Sequence, residues 1–263
     1  ATEISRLEAK YPVGSIERRI RLLGEMLPGL SGARAYGSFD RRLHVKGNLP
    51  DINLRRPLCW MIDFNVEPFI SHLGQFDILP ANKKLFRIYR QLVMTDSGDI
   101  TGMCGLFYQT HPKHMAPVWI YGDATAKHRN VNAPSAQSSY QLILNNMRNY
   151  GVPFMMKVPD ENPGVADRIN AMNVALMDEQ GMVGMEMHSS CEELIADLEQ
   201  VLRSPTGGIK KTTNKKDPYF WRTHASDGVG YHVAYEQPVR SFQSEQMQSI
   251  VLPMPKYGKG HRR

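Results

Sequence analysis

Two apolar segments of this sequence end in the same way, Leu58-Cys59-Trp60-Met61-Ile62-Asp63 and Val118-Trp119-Ile120-Tyr121-Gly122-Asp123. Each is a continuous apolar run of strand length, which is typical of a central strand buried on both faces. Ligands of open α/β sheets bind at the carboxyl ends of such strands. If the two strands are neighbours, about 4.8 Å apart, Asp63 and Asp123 converge at that edge of the sheet.

The two converging aspartates predict a metal site. Like charges this close are unfavourable unless a proton or a cation neutralises them. A divalent cation such as Mg²⁺ takes hard oxygen ligands and keeps water molecules for a substrate. For Asp63 or Asp123 alone, a helix cap or a turn position is the preferred interpretation, and for the matching pair the metal site and the cap stand as equal alternatives.

Hydrophobic periodicity along the rest of the chain predicts an α/β fold, with a mixed sheet flanked by helices. Further strands are expected at 69–76, 85–94 and 154–156, and helices at 2–10, 15–27, 101–109, 140–150, 163–176, 190–201 and 223–235. Ser190 and Glu193 have the spacing of a capping box that opens one of these helices. Residues 32–53 are predicted to form a loop with short extended pieces.

The composition is that of a globular protein. Of the 263 residues, 41% are hydrophobic and 22% charged, which excludes a mostly disordered or fibrous chain. No apolar run approaches the roughly 18 residues that a membrane span needs. The three cysteines lie far apart without a C-x-x-C pair, which argues against a zinc ribbon and against a disulfide framework.

The positive charge is concentrated in two segments. Basic residues exceed acidic ones by five at 201–222 and by four at 251–263, whereas the whole chain carries +6. A mildly acidic body with two basic segments suits a phosphate-bearing partner such as DNA. A solvated loop is the alternative for the first segment, and a frayed end is the preferred interpretation of the second. The predicted DNA contacts are Lys210, Lys211, Lys215, Lys216 and Arg222.

A third candidate acid, Asp227, lies in Thr223-His224-Ala225-Ser226-Asp227-Gly228-Val229-Gly230-Tyr231. It would occupy the first turn of a closing helix, where the helix dipole favours a carboxylate. His224, three residues earlier on the same helical face, is a candidate metal ligand or proton relay, with a helix cap as the alternative. The exposed lysines are expected to lie more than a Debye length from these acids, about 10 Å at 0.1 M salt.

Several strings of residues together resemble the nuclease domain of the large terminase subunit of tailed bacteriophages. The similarity spans residues 4–237, and its strength lies in the shared order of motifs that are individually weak. Gly37-Ser38-Phe39-Asp40 resembles the linker that precedes the domain. The strings are Met61-Ile62-Asp63-Phe64-Asn65-Val66-Glu67-Pro68, Tyr121-Gly122-Asp123-Ala124, Ser139-Tyr140-Gln141, Asn162-Pro163 through Asp167-Arg168-Ile169-Asn170-Ala171-Met172-Asn173, and the Asp227 segment quoted above.

This resemblance implies a ribonuclease H-like fold and cleavage of double-stranded DNA with two divalent metal ions, Mg²⁺ or Mn²⁺. The catalytic and metal-binding acids of the family correspond to Asp63, Asp123 and Asp227, although the second is sometimes Glu in the family. Asp63 is expected to bridge two metals about 3.5–4 Å apart, with the other two acids holding one each. Arg168 is either a DNA contact or, with Asp167, part of a helix-surface ion pair.

The resemblance also implies a domain organisation and a setting. A short helical amino-terminal linker region is expected at 1–53, the nuclease domain at 54–240 and a basic flexible tail at 241–263. The family also carries an amino-terminal packaging ATPase, but no G-x-x-x-x-G-K-[ST] string occurs here, so we expect the nuclease portion alone and no ATPase activity. The implied partners are a portal protein and a small terminase subunit, with a monomeric fragment in the host cytoplasm and no membrane.

Two other functions fit parts of the sequence. A non-catalytic module that docks on DNA or on a portal would account for the basic segments, but it has no need of three converging carboxylates. Another ribonuclease H-like enzyme, such as a resolvase or transposase, would account for the acids. The absence of a recognisable specificity domain argues against that second alternative.

Overall fold

The computed structural model describes residues 32–65, 67–80, 83–95, 99–111, 114–128, 137–204 and 208–238. Within these ranges the strands form one seven-stranded sheet, in the order β1-β7-β4-β3-β2-β5-β6. The strands are β1 (Val45–Lys46), β2 (Leu58–Asp63), β3 (Phe69–Leu79), β4 (Lys83–Met94), β5 (Val118–Gly122), β6 (Phe154–Met156) and β7 (Met185–His188).

β2 is the buried central strand that the sequence predicts, and all six of its residues are buried. It pairs antiparallel with β3 on one side and parallel with β5 on the other, with Ile62 opposite Gly122. Strands buried on both faces read as continuous apolar runs, as β2 does. The predicted adjacency of the two strands that lead to Asp63 and Asp123 is therefore confirmed.

Helices cover both faces of the sheet. In the described ranges they are α1 (Arg41–His44), α2 (Ile100–Thr110), α3 (Ser139–Asn149), α4 (Val165–Leu176), α5 (Glu192–Gln200) and α6 (His224–Glu236). α2 and α3 share a core with Leu58, Trp60 and Ile62. α4, α5 and α6 share the opposite core with Cys59 and Met61. The mixed sheet between two helical layers confirms the predicted fold class.

The alternation of side chains along β2 and β5 decides which layer the two aspartates face. Successive residues of a strand point to opposite faces. Asp63 therefore lies on the side of Cys59 and Met61, and Asp123 on the side of Tyr121, which belongs to the same core. α6 comes close to this end of β2, because a Cβ added at Gly228 would lie 3.3 Å from the backbone nitrogen of Asp63.

Residues 32–53 differ from the predicted linker. Ala35, Tyr36 and Phe39 are buried in the core beside α4 and α5. β1 extends the sheet by pairing in parallel with β7, and Asp40 caps the short helix α1. This stretch is part of the domain and is not a separate linker. The helices predicted at 2–10 and 15–27 lie outside the described residues, as does the tail at 241–263.

The capping box predicted for the start of α5 is wrong. The N-cap of α5 is Cys191, without a side-chain cap, and the Ser190 hydroxyl instead contacts His188 Nδ1 at 2.8 Å. A capping box lies instead at the start of α3, between Ser138 and Gln141. β7 is not among the predicted strands. Among the described residues, no helix is long and apolar enough to span a membrane.

Candidate functional site

Asp63 ends β2 and faces the amino-terminal turn of α6. The residue is 7% exposed. The amide nitrogen of Asn65 donates a hydrogen bond to Asp63 Oδ2, and Nδ1 of His224 lies 3.3 Å from the same oxygen. Burial raises the pKa of Asp63; the contact with His224 opposes this shift, and the charge of Asp227 reinforces it. The carboxylate is thus crowded by one like charge and supported by two polar neighbours.

Asp123 follows β5 and also caps the short 3-10 helix Ala124–Lys127. Its Oδ1 accepts hydrogen bonds from the backbone nitrogen and hydroxyl of Thr125, both at 2.7 Å, and from Asn162 Nδ2 at 2.6 Å. Burial would raise the pKa of Asp123, but these hydrogen bonds, with a further one from Tyr231, lower it overall. Asp123 can therefore cap the 3-10 helix and lie at the candidate site at the same time.

Asp227 lies in the first turn of α6 and is 7% exposed. Its two oxygens contact two different cations. Arg168 Nη2, from α4, lies 3.2 Å from Oδ1, and Lys211 Nζ lies 2.8 Å from Oδ2. The backbone nitrogen of Asp227 donates to the carbonyl of Thr223, which holds the carboxylate at the start of the helix.

The basic segment lies against the acids. The prediction that its lysines stay more than a Debye length away is wrong for Lys211, which contacts Asp227 directly. Lys215 forms an ion pair with Glu67, four residues beyond Asp63. Lys210 lies over the ring of Tyr219, 5.1 Å from its centroid. Lys216 is exposed.

Two predicted DNA contacts are buried ion pairs instead. Arg222 is 9% exposed and pairs with Glu193 and, at 3.4 Å, with Asp197, so its guanidinium faces the interior. Arg168 is 6% exposed and pairs with Asp227. Its placement also differs from the helix-surface ion pair that was the alternative. Neither guanidinium is presented to a ligand as large as DNA.

Sequence reasoning assigned no chemistry to three residues of this site. Asn65 contacts both Asp63 and His224, whose Nδ1 lies 2.7 Å from the Asn65 amide nitrogen. Asn162 donates to Asp123. Tyr231 lies near all three acids. Burial and the charges of the acids raise the pKa of the Tyr231 phenol, and the charge of Arg168 opposes this shift. The position of Tyr231, four residues after Asp227, was the signal in the sequence, because residues four apart lie on the same face of a helix.

The donor atoms of the site fit hard divalent cations. Asp63, Asp123 and Asp227 supply carboxylate oxygens, the ligand type that Mg²⁺ prefers. One oxygen of Asp227 already contacts the ammonium of Lys211, a largely exposed side chain. Within the described ranges, however, no three His, Cys, Asp or Glu side chains surround a single point closely enough to hold one ion. The chemistry of the donors thus fits a metal, and their present arrangement pairs Asp227 with side-chain cations.

A mixed sheet with acids after two neighbouring parallel strands and a third acid on a helix across them is a ribonuclease H-like fold. Among solved structures, the chain is similar to the large terminase of a thermophilic bacteriophage in complex with ATP-γ-S, with a TM-score of 0.58 and 14% identity over 89% of this chain and 53% of that one. Another crystal form of the same terminase matches with a TM-score of 0.56 and 14% identity over 89% and 52%. The P22 large terminase nuclease domain matches with a TM-score of 0.48 and 9% identity over 78% and 92%.

These similarities concern the fold. The chain spans about half the length of the thermophilic phage terminase chains that it matches. No protein-family model matches the sequence, and no curated protein does. The resemblance to large terminases that the motifs indicated is confirmed at the level of the fold, and the activity has to be argued from the residues of the site.

Proposed function

We propose that this chain is a metal-dependent endonuclease, the nuclease portion of a large terminase that cuts double-stranded viral DNA during genome packaging. The observation that carries the proposal is the pairing of β2 with β5. This pairing brings Asp63 and Asp123 to one edge of the sheet and one face of it, where α6 adds Asp227. Three carboxylates at one sheet edge would have little use in a module that only docks.

The three aspartates are the residues that would hold two divalent ions, Mg²⁺ or Mn²⁺, with His224 as a further candidate. Such ions neutralise phosphate charge and promote attack by water. The oxygen of water forms a bond to phosphorus while the bond to the 3′ oxygen breaks, so no side-chain nucleophile is needed. The chain's own part is to hold the carboxylates in place, and Asn65, Asn162 and Thr125 do so through hydrogen bonds.

DNA would reach the site along the basic segment. The proposed phosphate contacts are Lys210, Lys211, Lys215 and Lys216. All four are exposed, Lys211 contacts Asp227, and Lys215 contacts Glu67. Arg222 and Arg168 are no longer part of this proposal, because both are buried in ion pairs. A portal protein and a small terminase subunit, met in the host cytoplasm, remain the proposed partners.

The test is cleavage of supercoiled plasmid DNA with Mg²⁺ or Mn²⁺, with and without EDTA. We expect nicked and linear products that require the metal and disappear in Asp63→Asn. Asp51→Asn is the matched control, because Asp51 is an exposed acid that precedes the other end of β2. Binding without cleavage under every metal would favour the docking module. A strong preference for four-way junctions over linear duplex would favour a resolvase.

A further inference from the structure

We infer that Arg168 is a positioning residue that holds Asp227 by one oxygen, so that the other oxygen is left for an exchangeable cation. This inference rests on the proposed metal-dependent function. Asp227 makes two ion pairs, one through each oxygen, and the two cations differ in how tightly the fold holds them.

The Arg168 side chain is fixed from several sides. It leaves α4 and is 8% exposed, and its guanidinium carbon lies 4.3 Å from the centroid of the Tyr231 ring. Tyr231 stands four residues after Asp227 on α6, so its ring and the carboxylate lie on one helical face. The planar guanidinium therefore sits against an aromatic face while it contacts Asp227 Oδ1, a combination that Arg makes and Lys makes poorly.

Lys211 is held far less. Its side chain is 56% exposed, and its ammonium contacts Oδ2, the oxygen that Arg168 leaves free. A long, mostly exposed lysine loses side-chain entropy when it is held in one ion pair, and dissolved ions screen its charge, so its contact is more easily replaced than that of the buried Arg168. The two contacts thus divide the carboxylate into an anchored oxygen and an oxygen open to exchange.

Two other roles for Arg168 predict different behaviour. As a phosphate contact, it would need to reach solvent, and its side chain does not. As a purely structural ion pair, it would affect the free energy of unfolding without affecting how a metal binds. Residues that orient metal ligands typically change metal affinity or activity by about 10- to 100-fold when mutated.

The test compares Arg168→Met, Arg168→Lys and the control Arg87→Met in the full chain. Arg87 is also a poorly exposed arginine paired with two acids, Asp77 and Glu186. On β4, Arg87 lies six residues before Val93. Val93 pairs with Ile70 of β3, and Ile70 pairs with Asp63 of β2. About 20 Å of strand therefore separates Arg87 from the site. The measurements are Mn²⁺ binding by calorimetry without DNA, the paramagnetic resonance spectrum of bound Mn²⁺, plasmid cleavage and thermal unfolding without metal.

We expect Arg168→Met to weaken Mn²⁺ binding by about 10-fold or more and to alter the Mn²⁺ spectrum. Cleavage should fall through kcat, with the KM for DNA within about twofold, because orientation and not DNA contact is lost. Arg168→Lys should recover only part of the affinity and stay measurably below the wild type, since its ammonium restores a charge at Oδ1 but not the planar contact with the Tyr231 ring. Arg87→Met should lower stability and leave the Mn²⁺ affinity as it is.

Three results would overturn the inference. They are unchanged Mn²⁺ affinity and spectrum in Arg168→Met, a lysine variant no better than the methionine variant, and an equal affinity loss in Arg87→Met. If Arg168→Met does not fold, the lysine variant alone decides, because a structural pair predicts wild-type Mn²⁺ binding in whatever fraction folds. Wild-type protein that binds Mn²⁺ without cutting DNA overturns the proposed function only, and failure to bind Mn²⁺ overturns both.

Discussion

Lys211 Nζ lies 2.8 Å from Asp227 Oδ2, so a residue proposed to hold DNA contacts a residue proposed to hold metal. The Lys211 ammonium neutralises the Asp227 carboxylate as a metal cation would. Under the proposed function, a metal ion would compete with Lys211 for this oxygen, and a DNA phosphate would compete with Asp227 for the lysine. Binding of either one would then favour binding of the other.

The first prediction is that Lys211→Ala binds Mn²⁺ more tightly than the wild type in the absence of DNA. Removing a competing cation from a partly exposed ion pair should tighten binding roughly two- to fivefold. Calorimetry at low ionic strength measures the change. Lys215→Ala is the control, because Lys215 pairs with Glu67 and not with one of the three acids. Weaker binding in Lys211→Ala would contradict the competition.

The second prediction concerns Asp63→Asn, which should abolish cleavage while the protein remains folded. The substitution keeps the shape of the side chain at the end of β2 and removes its charge. Plasmid cleavage and circular dichroism together check it. Cleavage that persists with added Mn²⁺ would rule out the bridging role of Asp63.

The third prediction is a pH dependence of stability that the same variant removes. Burial raises the pKa of Asp63 in the folded protein above its ordinary value of 3.8. The stabilisation from this group is therefore full below about pH 3.8 and is lost as the pH rises through the raised pKa. Relative to Asp63→Asn, the metal-free wild type should lose free energy of unfolding across this window. Urea unfolding of both proteins from about pH 4 to pH 8 measures the difference, and parallel curves would contradict it.

The fourth prediction concerns DNA affinity when Lys210, Lys211, Lys215 and Lys216 are all replaced by Ala. If all four contact phosphates, the slope of log K against log salt should shrink by roughly 3–4. The loss should be similar for all DNA sequences. Fluorescence titrations in the Asp63→Asn background avoid cleavage, and Lys83→Ala with Lys84→Ala, at the start of β4, is the control for charge. An unchanged slope would return the segment to a solvated loop.

The fifth prediction is that this chain releases no phosphate from ATP above a blank with Mg²⁺. The backbone cradle of a Walker A loop needs its glycines and lysine at fixed spacing, and the sequence lacks that string. A phosphate-release assay checks it, with EDTA as the control. Measurable turnover would reveal a nucleotide site of another kind.

The sequence predicted the centre of the fold better than its edges. Leu58 to Ile62 and Val118 to Tyr121 are apolar throughout because both faces are buried, and such runs are readable without any partner. β1 and β7 have only two and four residues, and they owe their strand form to pairing with each other and with β4. Neither is a continuous apolar run like the three residues of β6, and both are too short for a periodicity to be recognised.

The assignment of the three acids to a site stays a prediction, whereas their side-chain partners could not be predicted from the sequence at all. Asp63, Asp123 and Asp227 stand at element ends that local patterns mark. The contacts of Arg168 and Lys211 with Asp227 depend on how α4 and the basic segment pack against α6, which no local pattern encodes. For Lys211 the error had a physical source. An exposed charge suggests distance from the buried acids, but a long side chain can be exposed along its length and paired at its tip.

The alternation along β2 and β5 makes this domain far more sensitive to insertions and deletions than to substitutions at its core. Removing one residue between Leu58 and Asp63 would leave the strand just as apolar but turn the carboxylate toward the layer of α2 and α3. The same holds for the residues that precede Asp123. Relatives that keep this chemistry should therefore vary freely in which apolar residue fills each position, while the number of residues before each aspartate stays constant.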